Sequence, residues 1–134
     1  NKDNDEYERL LRDRALWLSK TDNKKKALQA INRYFKVYKY GEYEEELEKI
    51  KDKLFFDTSD ANNTVKLATY NKLIEDYTKS SIGKRAIYEK AKLLLDEKQY
   101  GEVLKMEQSI LALDEEKYKD KQEIITKAVI GVMQ

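Results

Sequence analysis

Ile87-Tyr88-Glu89-Lys90-Ala91 has three counterparts in the chain: Leu11-Arg12-Asp13-Arg14-Ala15, Ile50-Lys51-Asp52-Lys53-Leu54 and Ile124-Ile125-Thr126-Lys127-Ala128. Each is an aliphatic residue, two variable ones, a base, then a small or aliphatic residue. The first positions lie 39, 37 and 37 residues apart. A second series interleaves with the first: Ala27, Val65 and Val103 are 38 apart, followed by Ala30, Ala68 and Met106 and then by Phe35, Leu73 and Leu111. One such match is cheap in helical sequence. Two concordant series with a period near 38 indicate repeated helix pairs.

Working outward, apolar residues recur at helical spacing almost throughout, and no stretch alternates long enough to make a strand. The spacing predicts seven helices, over residues 4–20, 23–39, 42–56, 62–78, 82–98, 101–114 and 119–133. Tyr7, Leu10, Leu11, Ala15 and Leu18 form the expected inner face of the first; Ala27, Ala30, Ile31, Tyr34, Phe35 and Tyr38 that of the second. Thr21-Asp22-Asn23, Tyr40-Gly41, Thr58-Ser59-Asp60, Ser80-Ser81 and Tyr100-Gly101 supply caps and turns. Joints this short make neighbouring helices antiparallel. A length of 134 residues suits one domain with a real core and is short for two independent ones.

Composition excludes much. With 27 Lys+Arg against 26 Asp+Glu, the net charge is +1, which argues against a nucleic-acid binder, although a local basic patch is compatible with it. An apolar fraction of 40% is too high for a disordered tail. Without Cys or His there are no disulfides, thiol nucleophiles, Ser-His triads or Cys/His zinc sites. The four glycines are isolated, so no phosphate loop exists, and acidic pairs such as Glu44-Glu45-Glu46 are what 26 acids on helices produce. The expectation is therefore no enzyme, no cofactor and no metal. No apolar run reaches the roughly 18 residues that span a bilayer. The chain starts at Asn1 rather than Met and is expected to be a piece of a longer protein.

These repeats resemble a degenerate tetratricopeptide-like (TPR) array, whose unit is about 34 residues with a small residue of helix A against a small residue of helix B. Ala15 and Ala27 fit those positions, and Ala91, Tyr100 and Asp114 fit the helix A alanine, the turn tyrosine and the end-of-unit acid. Residues 69–80, Thr69-Tyr-Asn-Lys-Leu-Ile-Glu-Asp-Tyr-Thr-Lys-Ser80, are similar to helix B endings of periplasmic TPR proteins of the cell envelope. Missing prolines, the longer period and bulky Leu54 depart from the pattern. The resemblance implies an all-α fold, an α-solenoid of about three and a half stacked antiparallel hairpins over residues 1–134. It also implies a protein-binding scaffold rather than a catalyst, similar in general respects to TPR proteins around bacterial flagellar motors.

Family geometry implies an inner surface lined by Arg9, Arg12 and Ser19, then Glu48, Lys51 and Phe55, then Arg85, Tyr88, Lys92 and Leu95. Its bases suit an acidic peptide or helix. The last helix keeps little polar surface: Ile124, Ile125, Ala128, Val129, Ile130, Val132 and Met133 leave a choice. Either Ile125, Val129 and Val132 turn inward, or Ile125, Val129, Val132 and Met133 meet another repeat of the parent chain or a second copy. Of the ten tyrosines, Tyr34, Tyr38, Tyr70 and Tyr77 fall with Trp17 on or near apolar faces and are expected mainly in the core, with a peptide-stacking role for one or two. Asn62-Asn63-Thr64, with Asp60 before it, is a glycosylation sequon in an expected loop. With the envelope-like repeat it favours a periplasmic location over a cytoplasmic one. The competing readings are a passive spacer in a long helical rod and, more remotely, a carboxylate-based enzyme or cofactor-binding bundle.

Overall fold

The structure is a computed structural model that describes residues 2–134, with side chains from Asp5 onward. It is all-α; among the described residues there is no strand. Eight helices follow in order: α1 (Lys2–Ser19), α2 (Lys24–Val37), α3 (Glu44–Phe56), α4 (Asn63–Asp76), α5 (Ser81–Asp96), α6 (Tyr100–Lys105), α7 (Glu107–Leu111) and α8 (Lys121–Met133). The boundaries have local causes. Asn23, Asn62 and Ser80 are N-caps whose side chains accept from the amides of Lys26, Val65 and Gly83.

The helix expected over 101–114 is two short ones. The Met106 amide donates to the carbonyl of Val103, a tight i→i−3 bond that ends α6, and Ile110 N–H then takes the Met106 carbonyl to begin the next turn. The last helix starts at Lys121 rather than 119, because Asp114 organises the preceding loop. Its carboxylate accepts from the amides of Glu116 (2.8 Å) and Lys117 (3.3 Å), an Asx turn.

The chain divides into two compact units after Asp57. In the first, α1 and α2 form an antiparallel hairpin and α3 packs on both. Its core is Leu11, Ala15, Ala30, Ile31, Tyr34 and Leu47, with Leu18, Phe35, Tyr38, Tyr43, Ile50 and Leu54 packed around it. The expected face of α1 is rotated. Leu10 is 62% exposed and Tyr7 is also exposed, while Glu8 is buried in their place. Inward Glu8 is affordable because Tyr34 and the backbone before α3 satisfy it, as described below. Gly41 sits in that turn: a Cβ there would collide with the Tyr34 hydroxyl.

In the second unit α4 packs on α5, and α5 in turn packs on α6, α7 and α8. The core is Ala91, Leu94, Val103, Ile110, Ile124, Ile125 and Ala128. At Gly83 the start of α5 approaches the Tyr77 carbonyl so closely that no side chain fits between them. The first series of repeat positions keeps its inward register, with Ala15, Ala91 and Ala128 fully buried. The second keeps it only in part. Ala27, Val103 and Leu73 are buried, but Val65 is 50% exposed and Leu111 is exposed, where α7 turns Ile110 inward instead.

Candidate functional site

Each base of the expected inner surface is engaged within its own unit. Arg12 lies 4.5 Å over the Tyr43 ring, with Nη1 3.4 Å from Glu46 Oε1 of α3 and Nε 2.9 Å from Asp13. Arg9 is exposed beside Tyr43, whose hydroxyl stabilises its charged form and pushes its pKa up. Lys51 stands 5.6 Å over the Phe35 ring and 3.8 Å from Glu48. Phe55, expected on that surface, is buried. The first-unit bases thus brace α3 against α1 and α2 by cation–π contact and ion pairing.

In the second unit, Arg85, Tyr88 and Lys92 follow one side of α5. Arg85 Nε is 3.9 Å from Glu89 Oε1, and Lys92 Nζ is 4.9 Å over the Tyr88 ring. The Tyr88 hydroxyl donates to Asp120 Oδ1 (2.8 Å) and Oδ2 (3.0 Å), and its ring lies 4.8 Å from that of buried Tyr118. Burial and the Asp120 carboxylate push the Tyr88 phenol up to about 12. Asp120 precedes α8 yet makes no side-chain cap; its charge is spent on Tyr88.

The last helix divides these residues between its two sides. Ile125 is buried with Ile124 and Ala128, while Val129, Ile130, Val132 and Met133 are exposed, Met133 at 80%. Val129 and Val132 therefore do not turn inward, and Ile125 is not at the surface. On the inner side, Gly131 lies against the Tyr100 ring, where a Cβ would collide.

Asn62 is exposed, and its side-chain carbonyl caps α4 by accepting from Val65 N–H at 2.9 Å. Trp17, expected in the core, is 68% exposed. It lines a groove between α1 and α2 that the sequence reading did not identify. The available signal was the composition of α2, which carries five bases and no acid. Among the described residues no helix is long and apolar enough to cross a membrane, and no three acidic side chains gather as a metal ion requires. No protein-family model, curated protein or solved structure gives a significant match to the chain.

Proposed function

We propose that the chain is a non-catalytic protein–protein interaction module, a scaffold element of a larger assembly, with α8 as an adhesive end. The observation that carries this reading is the outer face of α8. Four apolar side chains, Val129, Ile130, Val132 and Met133, stand exposed over about one and a half turns, with no charged residue among 128–134. Contiguous exposed apolar surface of this kind marks contact sites. A helix that buries Ile124, Ile125 and Ala128 on one side and offers these four on the other suits an interior position in a stack. The stacked-hairpin, TPR-like reading draws the same support from the packing of α3 on α1 and of α8 on α5. A periplasmic location, with a flagellar-motor scaffold as its narrowest form, rests on the sequon at exposed Asn62 and the envelope-like residues 69–80.

Light scattering after size exclusion tests the adhesive end. The wild-type mass is expected to rise with concentration, and Val129→Lys is expected to stay monomeric. A wild-type chain that stays monomeric at every concentration overturns the role given to α8.

A second reading, the passive spacer, gains from the engagement of Arg12, Lys51 and Arg85 by neighbouring acids and rings. Reversing Arg12, Arg85 and Lys92 to Glu separates the two. A recognition surface loses acidic partners in pull-down, whereas a spacer shows no change.

A further inference from the structure

The groove between α1 and α2 has the opposite character to the braced bases above. Its volume is about 710 Å³, within the roughly 300–1,000 Å³ typical of ligand sites, and its walls include Arg14, Trp17, Leu18, Lys26, Arg33 and Lys36. No acidic side chain lines it. The bases of α2 that face it, Lys26, Arg33 and Lys36, recur at helical spacing along one stripe about 15 Å long. Arg14 supplies a cation from the opposite wall, one turn from the Trp17 ring. Among the described residues, Arg14, Lys26 and Lys36 have no acidic partner within ion-pair distance. Arg33 donates one bond, from Nη2 to the Tyr7 hydroxyl at 3.2 Å, which fixes the guanidinium and leaves the rest of its fork open.

We propose that this groove is a docking site for an acidic amphipathic helix of a partner protein, about three turns long, with Trp17 as the apolar anchor and Arg14, Arg33 and Lys36 pairing with its carboxylates. The charge is complementary and local. Four cations converge with no acid among them, while residues 1–57 as a whole hold 14 bases and 13 acids. A short acidic segment gains the cations without meeting those acids; a long polyanion such as RNA meets both. Arginine forks bind carboxylates through paired charged hydrogen bonds, and an exposed tryptophan beside arginine is the composition of binding hot spots. The shape also fits, since two antiparallel helices form a trough that accepts a third by its apolar face.

Trp17 is the sole tryptophan, so its fluorescence reports this groove directly. The probe is a synthetic, tryptophan-free Glu/Leu amphipathic peptide of about twelve residues. Titration is expected to shift Trp17 emission to the blue and to saturate. Arg14→Glu/Lys36→Glu should weaken binding at least about tenfold with unchanged far-UV circular dichroism. Lys26→Glu/Lys36→Glu repeats the test without touching α1. The same peptide with Lys for Glu should give no shift. The assignment is overturned by no saturable shift, by wild-type affinity in both double variants, or by tighter binding of a poly(U) oligonucleotide. A blue shift that follows protein concentration alone assigns the groove to a second copy and overturns it too. The groove and α8 lie in different units, so the fluorescence result and the mass result stand or fall separately.

Discussion

In the first unit a carboxylate is buried against donors; in the second an ammonium is buried against acceptors. Glu8 of α1 accepts from the Tyr34 hydroxyl at 2.5 Å and from the Glu42 amide at 2.8 Å, while the Tyr34 oxygen accepts from the Tyr43 amide at 2.9 Å. Lys121, at the start of α8, donates to the carbonyls of Leu111 (2.7 Å) and Leu113 (2.6 Å) at the end of α7. Helix ends leave backbone groups unpaired. Where Asn23, Asn62 or Ser80 stands at a boundary, the cap is local. α3 has no side-chain cap of its own, and α7 ends without glycine. There, a charged residue remote in sequence does the same chemical work, negative against N–H and positive against C=O, and so ties one helix end to another helix. The contrast teaches that tertiary packing and helix termination are a single interaction at these two joints.

The largest expected effect comes from breaking that parallel asymmetrically. Lys121→Met keeps the aliphatic stem but leaves one buried and one part-buried carbonyl unpaired, a loss of roughly 2–3 kcal/mol. Glu8→Gln keeps an acceptor oxygen at the same place and should cost about 1 kcal/mol. Urea unfolding monitored by circular dichroism measures both. Equal losses would mean that charge, rather than the number of orphaned groups, sets the cost.

The next effect compares the two phenols. Burial and the neighbouring carboxylate raise Tyr34 to about 12 through Glu8, and raise Tyr88 to about 12 through Asp120, from an ordinary value of 10.0. The folded chain therefore holds these two protons more tightly than the unfolded chain does. Their contribution is complete below about pH 10 and is lost as the pH rises toward about 12. Thermal melts from pH 8 to pH 12 are expected to fall steeply above pH 10, and Tyr34→Phe and Tyr88→Phe should each flatten part of that fall. Absorbance titration of each variant assigns the part that belongs to each unit. A wild-type curve with no alkaline slope would remove the donor role of both hydroxyls.

The positions of most helices were legible because apolar spacing and side-chain caps agree locally. The inward faces were less legible, and buried charge is the reason. Hydropathy places Leu10 inside α1; Glu8 takes the interior side because its partners, Tyr34 and the Glu42 amide, come from 26 and 34 residues away. Lys121 is hidden from the pattern in the same way, by carbonyls that only the folded loop presents. The break at Met106 had no proline or glycine to announce it. Family geometry singles out the bases Arg12, Lys51 and Arg85 as a surface, but their pairing with Tyr43, Phe35 and Glu89 depends on packing that spacing does not encode. The groove was missed because near-neutral net charge averages away the acid-free run of α2, and because a tryptophan next to leucine reads as core.

The smallest effect concerns helix ends where neither a remote charge nor glycine is used. α5 closes in a Schellman arrangement: Lys98 N–H donates to the Leu95 carbonyl at 3.0 Å and Gln99 N–H to the Leu94 carbonyl at 2.8 Å. This puts Lys98 at φ 60°, and Tyr40, beyond the end of α2 in the first unit, is also at φ 60°. A left-handed conformation costs an L-residue with a Cβ about 1 kcal/mol that glycine avoids. Lys98→Gly is expected to raise stability by a few tenths to about 1 kcal/mol, partly offset by the greater freedom of glycine in the unfolded chain. Tyr40→Gly should gain less, because its turn is already braced by the Glu8 and Tyr34 bonds to Glu42 and Tyr43. Urea midpoints with unchanged slopes measure the difference. A larger gain at Tyr40 than at Lys98 would show that the first unit's buried carboxylate holds a strained turn rather than relieving one.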